Sequence, residues 1–129
     1  DMNYDNVPFH EVLYALGIRG WSIPTAPLTE DFFLANFSRR TGMTTNDMGE
    51  PAAVMSSSPS DFGVTWSQIT TKHTELIADY DAKDYARLRK AKYDLLNQDE
   101  MRYDDVKNST TTWVDAIDAI KAAHPKPEA

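Results

Sequence analysis

Residues 43–60 interrupt the chain. Thr, Ser, Asn, Asp, Gly and Pro dominate there, and Ser56-Ser57-Ser58-Pro59-Ser60 is the plainest part; such clusters read as connection rather than periodic structure. Loops longer than about 12–15 residues are uncommon inside compact domains. The stretch therefore predicts either a linker between two halves or a segment draped over a neighbouring chain. In the second case Ala53, Val54 and Met55 are the apolar anchor.

Before this stretch the pattern predicts two short helices. Asp5 and Asn6 precede Pro8 and an apolar run ended by Gly17, with Phe9, Val12, Leu13 and Leu16 on one stripe; a cap, an early Pro and a closing Gly are helix boundary signals. Ile18, Trp21 and Ile23 follow in an extended connection punctuated by Gly20, Pro24 and Pro27. In the second helix Thr29 is the cap, Glu30 and Asp31 suit the amino end of the dipole, Arg39 and Arg40 the carboxyl end, and Gly42 the stop. Leu28, Phe32, Phe33 and Phe37 give it a heavily aromatic face.

After the stretch, Thr65-Trp66-Ser67-Gln68 has the spacing of a capping box and opens a long helix expected to reach about Leu96. Trp66, Ile69, His73, Leu76 and Tyr80 keep heptad steps, then Tyr85, Leu88, Lys92 and Leu95 follow in another phase. That slip predicts a bend or break near Asp81-Ala82-Lys83-Asp84. A short charged segment over 99–106 precedes Thr110-Thr111-Thr112, hydroxyl caps for a last helix carrying Trp113, Ala116, Ile117 and Ile120. The expected fold is all-α: two short N-terminal helices within 1–42, a long polar loop over 43–61, and a C-terminal helical hairpin over 62–129. Trp66 and Trp113 are expected in the hairpin's core.

Charge and composition exclude several function classes. A net charge of -7 repels phosphate and argues against nucleic-acid partners. No apolar run approaches the roughly 20 residues of a spanning helix, and the first residues lack the pattern of a signal peptide, so no membrane partner is expected. The absence of Cys excludes disulfides, a thiolate nucleophile and Cys-type zinc sites.

Reactive constellations are scarce. His10-Glu11 would need a second His at position 14, which is Tyr, and His10, His73 and His124 lie in no ligand spacing with one another. Ser56-Ser57-Ser58 has no glycine elbow, and Gly17-Ile18-Arg19-Gly20 is not a phosphate cradle. Asp99, Glu100, Asp104 and Asp105 could do acid/base work, against a solvated or ion-paired helix surface as the plainer reading. Arg87, Arg89, Lys90 and Lys92 with Tyr85 and Tyr93 carry a weak single-strand nucleic-acid signal, opposed by the surrounding acidity. No catalytic residue, cofactor or metal is assigned. The positive signal is apolar: Trp21, Ile23, Phe32, Phe33, Phe37, Val54 and Met55 are the expected partner-binding residues, because large aromatics dominate interfaces as well as cores.

A resemblance sharpens this expectation. Tyr85-Ala86-Arg87-Leu88-Arg89 through Tyr93, Asp99-Glu100-Met101-Arg102-Tyr103-Asp104, Asn108-Ser109-Thr110-Thr111-Thr112-Trp113, Ala116-Ile117, Ile120-Lys121 and Pro125-Lys126-Pro127 resemble the carboxyl-terminal module of small tail-fibre-associated or tail-assembly proteins of tailed, marine-type bacteriophages. Those relatives often carry Pro after the Tyr matching Tyr93; Asp94 stands here, which favours continuous helix over a turn. The resemblance covers residues 85–127 only and implies a structural or adaptor protein of the virion, assembled in the host cytoplasm and without enzymatic activity. Its implied partners are other phage tail or fibre proteins, with self-association in a symmetric assembly as a further option. A transient tail-assembly chaperone is the alternative, and a small carboxylate-dependent enzyme the third reading.

Overall fold

The computed structural model describes residues 2–128; Asp1 and Ala129, the outer limits of the expected end segments, lie outside the described residues. The chain forms two compact units, one ending at Ala78 and one beginning at Asp79. The all-α expectation is overturned: among the described residues, helices are joined by a three-stranded antiparallel sheet of order β1-β2-β3.

In the first unit, helix α1 (Phe9–Ala15) buries Phe9, Val12 and Leu13. A short strand β1 (Trp21–Ser22) leads to α2 (Glu30–Asn36), where Phe32 N–H donates to the predicted Thr29 cap at 3.2 Å. The helix stops earlier than expected. Asn36 Nδ2 donates to the Phe32 carbonyl at 3.0 Å, and Phe37 is already extended at φ -80 and ψ 143. Strand β2 (Ser38–Thr45) then runs out, turns through Asn46-Asp47-Met48-Gly49, and returns as β3 (Pro51–Ser56). Asn46 Oδ1 accepts from the Met48 and Glu50 N–H groups, and Gly49 takes φ 78 to close the turn.

The expected polar loop is thus a β-hairpin, and Arg39 is a tie rather than a helix end. Its Nε donates to the Arg19 carbonyl and its Nη1 to the Phe62 carbonyl, both at 2.7 Å. Continuing α2 through Arg39 would leave those two carbonyls without this cation. Gly63, at φ 73, lies so close that a Cβ there would overlap the Arg39 guanidinium.

A continuous chain of rings forms the core of this unit. Phe9 meets Trp21 edge-on at 5.4 Å, Trp21 stacks with Phe37 at 6.1 Å, and Phe33, Phe37 and Phe62 close on one another at 4.8–5.5 Å. Ile69 and His73 of α3 (Trp66–Ala82) complete the packing. The α3 capping box is reciprocal: Gln68 N–H donates to Thr65 Oγ1 at 3.1 Å, and Thr65 N–H to Gln68 Oε1 at 2.9 Å. Asn3 and Tyr4 are fastened to the same core. The His73 ring donates through Nε2 to the Asn3 carbonyl at 2.9 Å, and the Tyr4 hydroxyl donates to the Pro27 carbonyl. Burial pushes the Tyr4 phenol up to about 12.

The expected long helix breaks where its heptad phase slips: α3 ends at Ala82, and α4 (Asp84–Tyr93) begins after Lys83. The second unit contains α4, α5 (Gln98–Asn108) and α6 (Thr112–Ala123), and α6 packs against both α4 and α5. The expected hairpin is therefore replaced by a three-helix set. Trp66 belongs to the first unit, against Phe33 at 5.6 Å, and Trp113 to the second. The turn that Asp94 was expected to suppress is present, since α4 ends at Tyr93.

Candidate protein-docking surface

The seven expected contact residues do not form one patch. Phe33 and Phe37 are wholly buried in the ring core of the first unit, so they stabilise it and are inaccessible to a partner. Trp21 is half-buried between Phe9 and Phe37, and Ile23 is half-buried beyond β1. Phe32 is half-buried and lines an apolar cleft of about 340 Å³ with Thr25, Ala26, Leu28 and Thr29. Val54 and Met55 stand exposed on the hairpin.

The hairpin outside its base is bare on both faces: from 41 to 55 every residue is exposed except Ala52, which is half-buried. Cross-strand partners share a face and alternate residues share a face. Met43 opposes Ala53, and Met55 lies two residues beyond Ala53, so these three make one apolar strip; Val54 lies on the other face, opposite Gly42. A bulge between Arg40 and Gly42 marks where β2 leaves the core. Met43 is 59% and Met55 42% exposed, and flexible thioethers suit an adaptable contact surface. Met43 escaped the sequence reading because only the pairing register sets it beside Ala53.

A second apolar surface belongs to the C-terminal unit. None of the described residues after His73 is buried. Trp113, Ala116, Ile117 and Ile120 of α6 are only half-covered, while Leu95 and Val106 are 79% and 84% exposed. Polar ties hold the helices instead. Arg89 Nε donates to the His124 carbonyl at 2.8 Å, and Trp113 Nε1 donates to Gln98 Oε1 at 3.1 Å.

The carboxylate cluster has its own structural use. Asp105 accepts from the Thr110 and Thr112 hydroxyls at 2.6 Å, and from the Thr112 and Trp113 N–H groups at 3.0 and 2.7 Å. It caps the first turn of α6 from α5, a task expected of the local threonine hydroxyls, whereas the Thr111 side chain makes no cap bond. The Thr110 and Thr112 hydroxyls, followed by the two N–H groups, lower its carboxyl to about 2, the opposite of the raised value a general acid requires. Asp99 pairs with Arg102 and is 90% exposed. Asp99 also borders a wide polar hollow of about 740 Å³ at the α4–α5 turn, which Glu100, Asp104 and Asp105 do not line.

Arg87, Arg89, Lys90 and Tyr85 of α4 are engaged within the unit. Arg87 lies over Tyr80 at 3.6 Å and Arg89 over Tyr85 at 5.0 Å, while Lys90 pairs with Asp94 at 2.7 Å; rings so occupied are not an open stacking platform for bases. Among the described residues no group of three His, Cys, Asp or Glu side chains could hold a metal ion, and no helix is long and apolar enough to cross a membrane. In comparisons with known proteins, no family model, no curated protein and no solved structure matches this chain.

Proposed function

We propose that this chain is a non-enzymatic structural or adaptor component of a phage virion, at the tail or tail fibre, acting by packing against other protein chains. One observation carries the protein-packing part: the C-terminal unit buries none of its described residues, yet presents Leu95, Val106 and the α6 stripe to solvent. Hydrophobic stabilisation is roughly proportional to apolar area removed from water, at about 25 cal/mol per Å². Helices that leave their apolar side chains half-covered gain the remainder only against another surface. The resemblance of residues 85–127 to phage tail modules falls on this same unit and supplies the location. The acidic surface and the structural roles of Asp105 and Asp99 agree with a packing protein.

Co-sedimentation with purified phage particles tests the reading. The expected result is a fixed ratio of this chain to tail protein in mature particles. Binding to unassembled fibre or tail protein together with absence from mature particles would assign it instead to transient assembly. If the chain binds neither, the packing role is wrong.

A further inference from the structure

Helix α3 sets four side chains along one face, beside the first residues of the chain. Trp66, Thr70, His73 and Thr74 lie at helical spacing, and with Met2 and Leu28 they line a hollow of about 270 Å³. None of the six is Asp, Glu, Lys or Arg, in a chain that is 26% charged. His73 is only 7% exposed, and its two ring nitrogens have different tasks. Nε2 donates to the Asn3 carbonyl at 2.9 Å, which fastens the segment carrying Met2 to α3 and leaves Nδ1 as the accepting nitrogen of the neutral ring. Nδ1 has no partner among the described residues, yet none of their buried side-chain nitrogens or oxygens is left unpaired, so this atom is reached from the hollow that the ring lines. The threonines add further acceptors. Thr70 Oγ1 donates to the Ser67 carbonyl at 3.1 Å and Thr74 Oγ1 to the Thr70 carbonyl at 3.0 Å, so each hydroxyl proton is committed to the helix and only lone pairs remain.

We propose that this hollow binds a neutral pyranose sugar, whose hydroxyls donate to His73 Nδ1, Thr70 Oγ1 and Thr74 Oγ1 while a C–H face rests on the Trp66 indole. Three acceptors on one helix face call for a ligand rich in donors. An ammonium group also brings donors, but it would give up hydration where no carboxylate lines the hollow to replace it. Hydroxyls bring donors without charge. Phe33 covers Trp66 from the core at 5.6 Å, and the indole stays part-exposed on the wall of the hollow. That is the flat apolar surface against which ring C–H groups lose water. The size agrees, since the hollow lies just below the roughly 300–1,000 Å³ of sites for drug-sized ligands and suits a single ring.

The site lies wholly in the first unit and goes beyond the adaptor reading, so particle binding can fail while sugar binding holds. The test titrates the full chain, observed by heteronuclear NMR, with the methyl glycosides of glucose, galactose, mannose and N-acetylglucosamine. At least one should bind with a dissociation constant on the order of 1–10 mM. It should move the Trp66 indole N–H and His73 Nδ1 resonances and leave the Trp113 indole N–H in place. Sorbitol, which has the hydroxyls but no ring face, should bind at least about tenfold more weakly. Thr70→Val and Thr74→Val each remove an acceptor with little change of shape and should raise the dissociation constant about threefold to tenfold, the effect of one hydrogen bond. His73→Phe should abolish binding, and because that change also frees the Asn3 carbonyl, the threonine variants, with helical circular dichroism unchanged, keep ligand contact separate from folding. The proposal is overturned if no glycoside moves the His73 and Trp66 resonances at about 100 mM, if sorbitol or methylammonium binds as well as the sugars, or if both threonine variants bind like the parent chain.

Discussion

Phe33 and Phe37 show how far a residue's chemistry can be read before its surroundings are known. Their size and hydrophobicity mark them as buried against something, but the sequence does not say whether against this chain or another. Both are at most 1% exposed, and the rings of Trp21, Phe62 and Trp66 cover them from β1, the segment after the hairpin, and α3. Phe33→Ala should therefore cost about 3–5 kcal/mol of stability, the range for truncating a buried Phe. Urea unfolding followed by tryptophan fluorescence measures it, and a loss below about 1 kcal/mol would contradict the ring core. Thr29 and the Thr65–Gln68 box were legible at this scale because a cap is a local bond, made three residues from its partner.

Among elements, the outcomes divide by the range of the interactions that form them. The starts of α2 and α3 and the break at Lys83 were visible in local pattern, whereas α1 starts after Pro8 with no side-chain cap, not from the Asp5 or Asn6 cap expected. The β2–β3 hairpin was not, since Thr and Ser favour strands and loops alike until a partner strand is present. The cap of α6 was also misplaced, because Asp105 reaches it from the preceding helix rather than from the adjoining threonines. This latch has a pH signature. Its folded value of about 2 lies below the ordinary 3.8, so its contribution is complete above the unfolded value and is lost as pH falls through the folded one. Acid titration from pH 5 to 2 should thus loosen α6, followed by Trp113 fluorescence in a chain where Trp21 and Trp66 are changed to Phe. Asp105→Asn in that background should be less stable at pH 7 and lose the transition between about pH 4 and 2; an unchanged acid profile would exclude the latch.

For the whole molecule, the distribution of burial predicts unequal stability along the chain. Buried residues run from Val7 to His73, and none of the described residues follows them. Local opening free energies rise with buried apolar contact. Amides of α4, α5 and α6 should therefore exchange with deuterium well before those of α1 and the first half of α3, and a bound partner should slow them. Uniform exchange along the chain would show one cooperative body and remove the main support for a docking role of the C-terminal unit.

By itself the sequence determined the solvated acidic character, the starts of α2 and α3, the break after Ala82 and the identity of the large side chains that must be covered. These depend on composition or on contacts a few residues apart. Tertiary structure decided that 38–56 is a hairpin, that Phe33 and Phe37 face inward while Met43, Val54 and Met55 face out, and that Asp105 is a cap. Strand pairing, ring packing and a cap supplied from another helix are made between residues distant in sequence, and no local pattern encodes which distant group will be there.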